Sequence, residues 1–469
     1  MSRVALVGAG AVGTRTALDL ADHGVAVTLF ERGEIGWDGE TAVETPGDAA
    51  SSRAAGVLYD AYAEDVDAAL GARSLERFRA FDGTEGFLFH ECPYAILVRE
   101  GDDERAAATR RAVERMREHD RQVETLAPEQ VGERFPTLHA DDLAVAAVAD
   151  NAGWADTGAY VAALLTTARA AGVEIRDETP VTLASPTTVA TPGGRESFDA
   201  VVVAAGAHTA QVCAGVDVDL AAVPYRVQAL TGAVVAGSPG SGDGRVGGDG
   251  GGADEGSAGG GGGDEGGGAD ADDSPHGGDP HPGPMWYDAT AGVYARPHPD
   301  GILAGDGTVP EATDPDAWDR EADDWFVADT REVAAHRLRG SAAATGDSHE
   351  ASTSGEPTGD TDATTTTDPS VSVERSWAGV CTATPDGDPL LGHVRDGLYV
   401  ATGWQGHGFM RSPAHAELLA ELVAADLGVA TASPASVPSG ETALSAFDPT
   451  RFPAGVEFEV REGMLVEER

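Results

Sequence analysis

The chain contains no lysine: all 31 basic residues are arginine, against 79 acidic residues, for a net charge of −48 over 469 residues. Nucleic acid and anionic membrane are therefore not expected as partners, because both are held by clustered cations. An acid excess without lysine is what a halophilic protein with an acidic surface is expected to carry. In molar salt, screening suppresses the mutual repulsion of carboxylates that hold hydration. An acidic face evolved for a basic partner is the other reading, but the acids are spread along the sequence and are not blocked into one tail.

Cysteine is almost absent as well. Cys92, Cys213 and Cys381 are odd in number and widely spaced, without C-x-x-C, which argues against a disulfide framework and against a zinc site. No metal is expected, and the compartment should be reducing. No apolar run approaches the roughly 20 residues of a membrane helix. A strand that starts at residue 3 leaves no room for a signal peptide, so the expected location is cytoplasmic.

What is present begins at residues 3–32, RVALVGAGAVGTRTALDLADHGVAVTLFER. An apolar run enters Gly8, Gly10 and Gly13, a helical pattern from Ala11 stops at Gly24, and a second apolar run closes on Glu31 and Arg32. This is a strand, a glycine turn, a helix and a parallel strand. Gly8 permits the sharp turn, Gly10 lets a pyrophosphate approach the backbone, and Gly13 lets helix and strand pack closely. The helix N-terminus beginning at Ala11 and Val12 offers N–H groups to phosphates, and Glu31 is placed to accept from a ribose diol. The fingerprint alone leaves nicotinamide and flavin dinucleotides both open.

Residues 33–56 are polar and glycine-rich and can return to the nucleotide crevice; a helical pattern follows from about Val57 to Phe81. Strands are expected around Cys92, a charged amphipathic helix over 103–122, and a short helix ended by Pro136. The segment 144–181 returns to α/β character, and the buried strand in DAVVVAAGAHTA ends in a turn at Gly206. Residues 223–236 and 285–305 read as antiparallel strands. Between them, 21 of the 47 residues from Gly237 to Gly283 are glycine, too little apolar surface to offset chain entropy, so disorder is expected there and in the Thr/Ser/Asp-rich stretch 341–370. Near the C-terminus, ProAspGlyAsp at 385–388 is a hairpin signal. The strand 397–402 then enters a glycine loop, and a helix is expected with Ser412 as N-cap and Pro413 at its first position.

Taken together, GAGAVG with Glu31, SSRAAG at 51–56, VVVAAGA at 201–207, WAGVCTATPDGDPLLG at 377–392, GLYVATGWQGHGF at 397–409 and the late SAFDPTRF resemble the D-amino-acid oxidase, glycine oxidase and sarcosine oxidase superfamily of flavoproteins. The order and spacing of these motifs carry the resemblance outside the two inserts. It implies an α/β fold (α+β overall), with a discontinuous Rossmann-like FAD-binding domain (1–85, 142–215 and 376–440) and an antiparallel β-sheet substrate domain (86–141, 216–236 and 284–340). It also implies FAD and a small amine or amino-acid substrate, sarcosine-like or D-amino-acid-like. Hydride leaves the carbon alpha to nitrogen for flavin N5, giving an imine that hydrolyses, with oxygen or a redox partner as final electron acceptor.

The cofactor contacts implied are Gly8, Gly10, Ala11, Val12, Gly13, Glu31, Arg32, Ser51, Ser52, Val181, Ala205 and Gly206, then Gly403, Gln405, Gly406, His407, Gly408, Phe409 and Met410. His407 lies in the GHGF motif found beside the flavin in sarcosine oxidase-like members, where charge stabilisation accelerates the transfer. Arg53 falls where relatives place basic residues near the flavin. Arg296, on a substrate-domain strand, could fork a carboxylate, with Tyr225 and Arg226 as weaker candidates. Three departures stand out. Cys381 occupies the place of the carboxylate-binding arginine of glycine oxidase-like relatives and is read as a wall of the substrate pocket. Met410 replaces the lysine after GHGF of monomeric sarcosine oxidases, which tilts the reading towards a dehydrogenase. Gly379 stands where covalent flavin would need cysteine, so the FAD should be non-covalent. A 2-hydroxy-acid dehydrogenase of the same fold, with His407 as base, and an auxiliary FAD subunit of an electron-transfer complex are the alternatives.

Overall fold

The computed structural model describes residues 2–45, 47–235, 283–338, 370–429 and 440–460. Both low-complexity inserts lie outside the described residues apart from Gly283 and Ser370. Three short aliphatic runs from distant parts of the chain, Arg3–Val7, Ala200–Val203 and Leu398–Thr402, meet as adjacent parallel strands, with Val4 opposite Ala200 and Val201 opposite Leu398. Ala26–Phe30 and Glu174–Arg176 extend the sheet on one side, and antiparallel Leu390–Arg395 closes the other, making six strands.

Both faces of this sheet are covered, as parallel strands require. Val4, Leu6, Leu29 and Val202 pack against helices Ala11–Asp22, Thr157–Ala170 and Gly408–Asp426. Ala5, Val7, Val201 and Val203 face a three-stranded antiparallel layer around Leu183, Val189 and Phe198, and the short helix bearing Cys213.

The second large sheet has eight strands: Ser370–Ala383, Val223–Val235, Gly301–Ala312, Val293–His298, Met285–Asp288, Tyr94–Arg99, Leu143–Ala149 and Val123–Leu126, in that spatial order. Every neighbouring pair is antiparallel except Met285–Asp288 with Tyr94–Arg99. The expected combination of a Rossmann-like sheet assembled from separated segments and an antiparallel sheet is therefore present. Helix Asp103–Glu118 covers one face, through Ala112, Val113 and Met116, and helix Asp324–Arg337 the other, through Phe326 and Ala334.

Three local expectations are corrected. Val57–Tyr59 is a strand paired with Ala152–Trp154, so the helix begins only at Asp65; a β-branched and aromatic triplet with a partner strand adds to a sheet. The turn at 385–388 forms no hairpin, because the strand before it belongs to the eight-stranded sheet and the strand after it to the six-stranded one. The last long helix starts at Gly408, with His407 as N-cap, and carries Pro413 in its interior. Proline removes the donor for the carbonyl four residues back, that of Phe409, and the Ser412 hydroxyl donates to that same oxygen at 2.8 Å. Ser412 thus repairs the helix instead of capping it.

Candidate active site

A cavity of about 1160 Å³ runs from the glycine turn of the first strand to the inner face of the antiparallel sheet. It exceeds the roughly 300–1,000 Å³ of most ligand pockets, so it has room for a large elongated ligand. Gly8, Gly10, Ala11, Val12, Glu31, Arg32 and Ser51 line one end. Gly8 has φ +107°, and a Cβ there would stand 2.5 Å from the Ala204 carbonyl oxygen. Gly13 is not in the wall; a Cβ on it would lie 2.0 Å from the Gly8 carbonyl oxygen, so it sets the distance between helix and turn.

The first-turn N–H groups of helix Ala11–Asp22 have no acceptor within the helix. Ser51 accepts one of them, from Ala11, at 3.0 Å. Ser51 belongs to the expected returning loop, which folds as a hairpin, Gly36–Asp38 with Thr41–Glu44, and a single helical turn, Ala50–Arg53. Ser52 is not in the cavity wall but shares a hydrogen bond at 2.8 Å with Thr45, which is. The Glu31 carboxylate accepts from the N–H of Ala9 at 2.8 Å and of Gly33 at 2.9 Å, one on each oxygen. This double hold fixes the acid at the ends of two parallel strands. Arg32 pairs with Asp316 at 3.0 Å.

Further along, Val181, Ala205, Gly206, Gly403, Gln405, Gly406, His407, Gly408, Phe409 and Met410 form a continuous stretch of wall. Gly403, Gln405 and Gly406 all have positive φ (86°, 50° and 89°), and this tight turn delivers the chain to the helix start at Gly408. The helix therefore opens on the cavity, with the positive end of its dipole there. His407 is buried, with the Tyr62 ring edge-on at 6.5 Å. Tyr62 donates to the Met410 sulfur at 2.9 Å and accepts from buried Arg411 at 3.3 Å, and Arg411 is paired with buried Asp67 at 3.0 Å. Trp404 lines the same wall, and its indole N–H is buried with no partner among the described residues.

On the antiparallel-sheet side the wall is formed by Tyr59, Tyr225, Gln228, Tyr294, Trp377 and Cys381. Burial pushes the Cys381 thiol up to about 12, only partly opposed by a hydrogen bond with Tyr225, so it is neutral at physiological pH. Arg53 also lines the cavity, but its guanidinium donates to the carbonyls of Gly47 (2.7 Å) and Ala378 (2.9 Å) and to Asp48 (3.2 Å). Arg296 is not brought into the wall. It is buried, donates to the carbonyls of Ala55 and Pro297, and lies 4.7 Å over the Trp154 ring. Arg226 turns away to Asp323 at 2.8 Å and to the carbonyls of Asp319 and Glu321. Sequence reasoning missed Tyr59, Gln228 and Tyr294. Strand alternation does not supply the signal, since Gln228 shares a face with Arg226 and Tyr294 with Arg296, and neither arginine lines the wall.

A family model described as "FAD dependent oxidoreductase" (DAO) matches residues 3–247 and 269–422. No curated protein sequence matches the chain. Among solved structures, L-proline dehydrogenase from P. horikoshii is 21% identical, with 96% of this chain and 97% of that chain covered and a TM-score of 0.67. Glycine oxidase from Geobacillus kaustophilus is 21% identical, covering 97% and 100%, with a TM-score of 0.66. L-amino acid deaminase from Proteus vulgaris is 16% identical, covering 96% and 97%, with a TM-score of 0.64.

Proposed function

Because the chain belongs to the DAO family of FAD-dependent oxidoreductases, we propose that it oxidises a small amine or amino acid, sarcosine-like or D-amino-acid-like, to an imine that water hydrolyses. The observation that carries this reading is one continuous cavity joining a dinucleotide cradle to an aromatic wall on the antiparallel sheet.

The residues present fit FAD. Gly8 and Gly13 are positions where a Cβ would collide with backbone, the helix at Ala11 opens on the cavity, and the Trp404 indole N–H waits buried without a partner among the described residues. Glu31, held by two backbone N–H groups, would face the adenosine ribose, and Gly10 to Val12 the pyrophosphate. Val181, Ala205, Gly206 and the 403–410 turn would lie along the remainder of the cofactor. FAD supplies a two-electron acceptor for the hydride leaving the carbon alpha to nitrogen.

The chain's own part is positioning and charge. The N-terminus of helix Gly408–Asp426, with His407 at its cap, would set positive potential where negative charge develops. Burial holds the Tyr59 phenol well above its ordinary value, so it stays a protonated donor. Tyr225, Tyr294 and Trp377 offer amphipathic surface that excludes water around an amine. Arg53 is committed to protein oxygens in this arrangement, so a substrate carboxylate would have to draw it from Asp48. Gly379 offers no sulfur for a covalent flavin link, and the neutral Cys381 thiol agrees with a non-covalent cofactor. The absence of lysine supports transfer of electrons to an acceptor other than oxygen.

The test is the visible spectrum of the protein purified in molar KCl. A flavin band that bleaches on anaerobic addition of an N-methyl or D-amino acid is the expected result. Failure of every amine and amino acid in a broad panel to bleach it would sink the proposal.

A further inference from the structure

Three metal-ligating side chains converge away from the cavity. Atoms of His139, Asp142 and His336 all lie within 4.8 Å of one another, and none of these residues lines the wall described above. Two segments distant in sequence bring them together: the loop before strand Leu143–Ala149, and the last turn of helix Asp324–Arg337. The segments are locked by the His139 N–H donating to the Arg337 carbonyl at 2.8 Å, by the Leu138–Leu338 bridge, and by the Arg337 guanidinium donating to the His139 carbonyl at 2.6 Å. The side chains are thus presented on a fixed backbone.

We propose that His139, Asp142 and His336 form a binding site for a divalent transition cation of the Zn²⁺ or Ni²⁺ type. Two imidazoles with one carboxylate suit these borderline ions and not Mg²⁺ or Ca²⁺, which prefer all-oxygen shells. The spacing agrees. His336 Nε2 is 3.0 Å from Asp142 Oδ2, and His139 Nδ1 is 3.8 Å from Asp142 Oδ1. Two ligands of a tetrahedral ion about 2.1 Å from each stand about 3.4 Å apart, between these two separations.

His139 Nδ1 is buried with no hydrogen-bond partner among the described residues, a cost that a bound ion removes. On the far side of the ring, its Nε2 is 3.7 Å from the Asp141 carboxylate.

The surrounding charge permits a cation. Arg337 is wholly buried and bridges Asp142 and Asp288, and Arg99 reaches the same two acids at 3.8 and 2.8 Å. Two arginines and two aspartates cancel, leaving the negative end of the helix dipole at His336 to face the ion. The ion would clamp the end of the helix to the loop, and it is structural, not catalytic.

The experiment uses the full-length FAD-loaded protein without an affinity tag, stripped with EDTA and titrated with Zn²⁺ by calorimetry. Wild type should bind one equivalent that the His139→Gln/His336→Gln double variant lacks or binds at least about 10-fold more weakly. Its thermal midpoint should rise with Zn²⁺ while the variant's does not. Both histidines are partly exposed, so the variant should keep its FAD. Identical isotherms for the two proteins, or no bound equivalent in wild type, would overturn the site. If the variant does not fold, a Co²⁺ titration of wild type decides. Intensified visible bands of a nitrogen-ligated, distorted site support the proposal, and a spectrum unchanged from aqueous Co²⁺ rejects it.

Discussion

Glu31 shows how one side chain can serve both fold and ligand. Its two oxygens are occupied by the N–H groups of Ala9 and Gly33, which belong to the turns after two neighbouring strands. Glu31→Gln keeps the volume but presents an amide N–H₂ to one of those donors. Losing one charge-assisted hydrogen bond costs about 1.5–3 kcal/mol, so FAD affinity should fall about tenfold to hundredfold. Fluorescence titration of apoprotein with FAD measures it, and unchanged affinity would remove Glu31 from the cradle. Gly8, Gly10 and Glu31 were legible in the sequence because backbone approach and a tight turn restrict which residues can stand there. Arg296 was not. An arginine on a strand reads the same whether it faces a ligand or two backbone carbonyls, and only the packing of Ala55 and Trp154 decides between them.

At the scale of elements, helix Gly408–Asp426 carries most of what sequence reasoning misjudged. Ser412 and Pro413 look like a helix start, yet the positive-φ turn at Gln405 and Gly406 starts the helix earlier and leaves the Phe409 carbonyl dependent on the Ser412 hydroxyl. Ser412→Ala should therefore cost about 1–3 kcal/mol in urea denaturation, the range for a buried acceptor left unsatisfied. A true N-cap at 412 would instead have shortened the helix. One turn on, His415 is buried, with Nδ1 donating to the Arg411 carbonyl at 2.8 Å and Nε2 unpartnered. Burial, and then the positive charge of Arg411, depress it to about 4.

The folded value of His415 lies below the unfolded one, so its contribution to stability is complete above about pH 6.5 and is lost as pH falls towards 4. The loss is about 3 kcal/mol at pH 4. His415→Phe should flatten the stability profile over that window, measured by denaturant midpoints at each pH. The same helix is tied to helix Asp65–Phe81 by Arg73 and Arg77, which share Glu417 at 2.7 and 2.8 Å, and Arg77 in turn shares Asp19 of helix Ala11–Asp22 with Arg15 at 2.7 and 2.6 Å. Arginine can bridge several carboxylate oxygens at once, which a lysine point charge does less well.

For the whole molecule, the charge balance sets the conditions of stability. With 79 acids against 31 arginines, repulsion among surface carboxylates opposes the folded state, and salt relieves it. The screening length shortens from about 10 Å at 0.1 M to about 3 Å at 1 M. The thermal midpoint should therefore rise from dilute buffer to molar KCl; a flat or falling midpoint would refute the halophilic reading. The two-sheet architecture was legible because parallel strands buried on both faces, such as Ala200–Val203, differ in pattern from half-buried antiparallel ones. The join between the sheets at 385–388 was not, because a Pro-Asp-Gly turn has the same local chemistry whether it closes a hairpin or passes the chain between layers.

The strand order of the six-stranded sheet also sets the timing of biogenesis. Its three central strands end at Val7, Val203 and Thr402, so a nascent chain carries the glycine turn through most of its synthesis before the last of them arrives. Such long sequence separations between contacting strands slow folding, because loop closure precedes any reward from the contacts. Val203 has no neighbour on its open side until Val400 has left the ribosome, and the 403–410 wall follows only then. The cavity wall is therefore completed only after that strand pairs, and until then the growing chain exposes a strand edge open to edge-to-edge association.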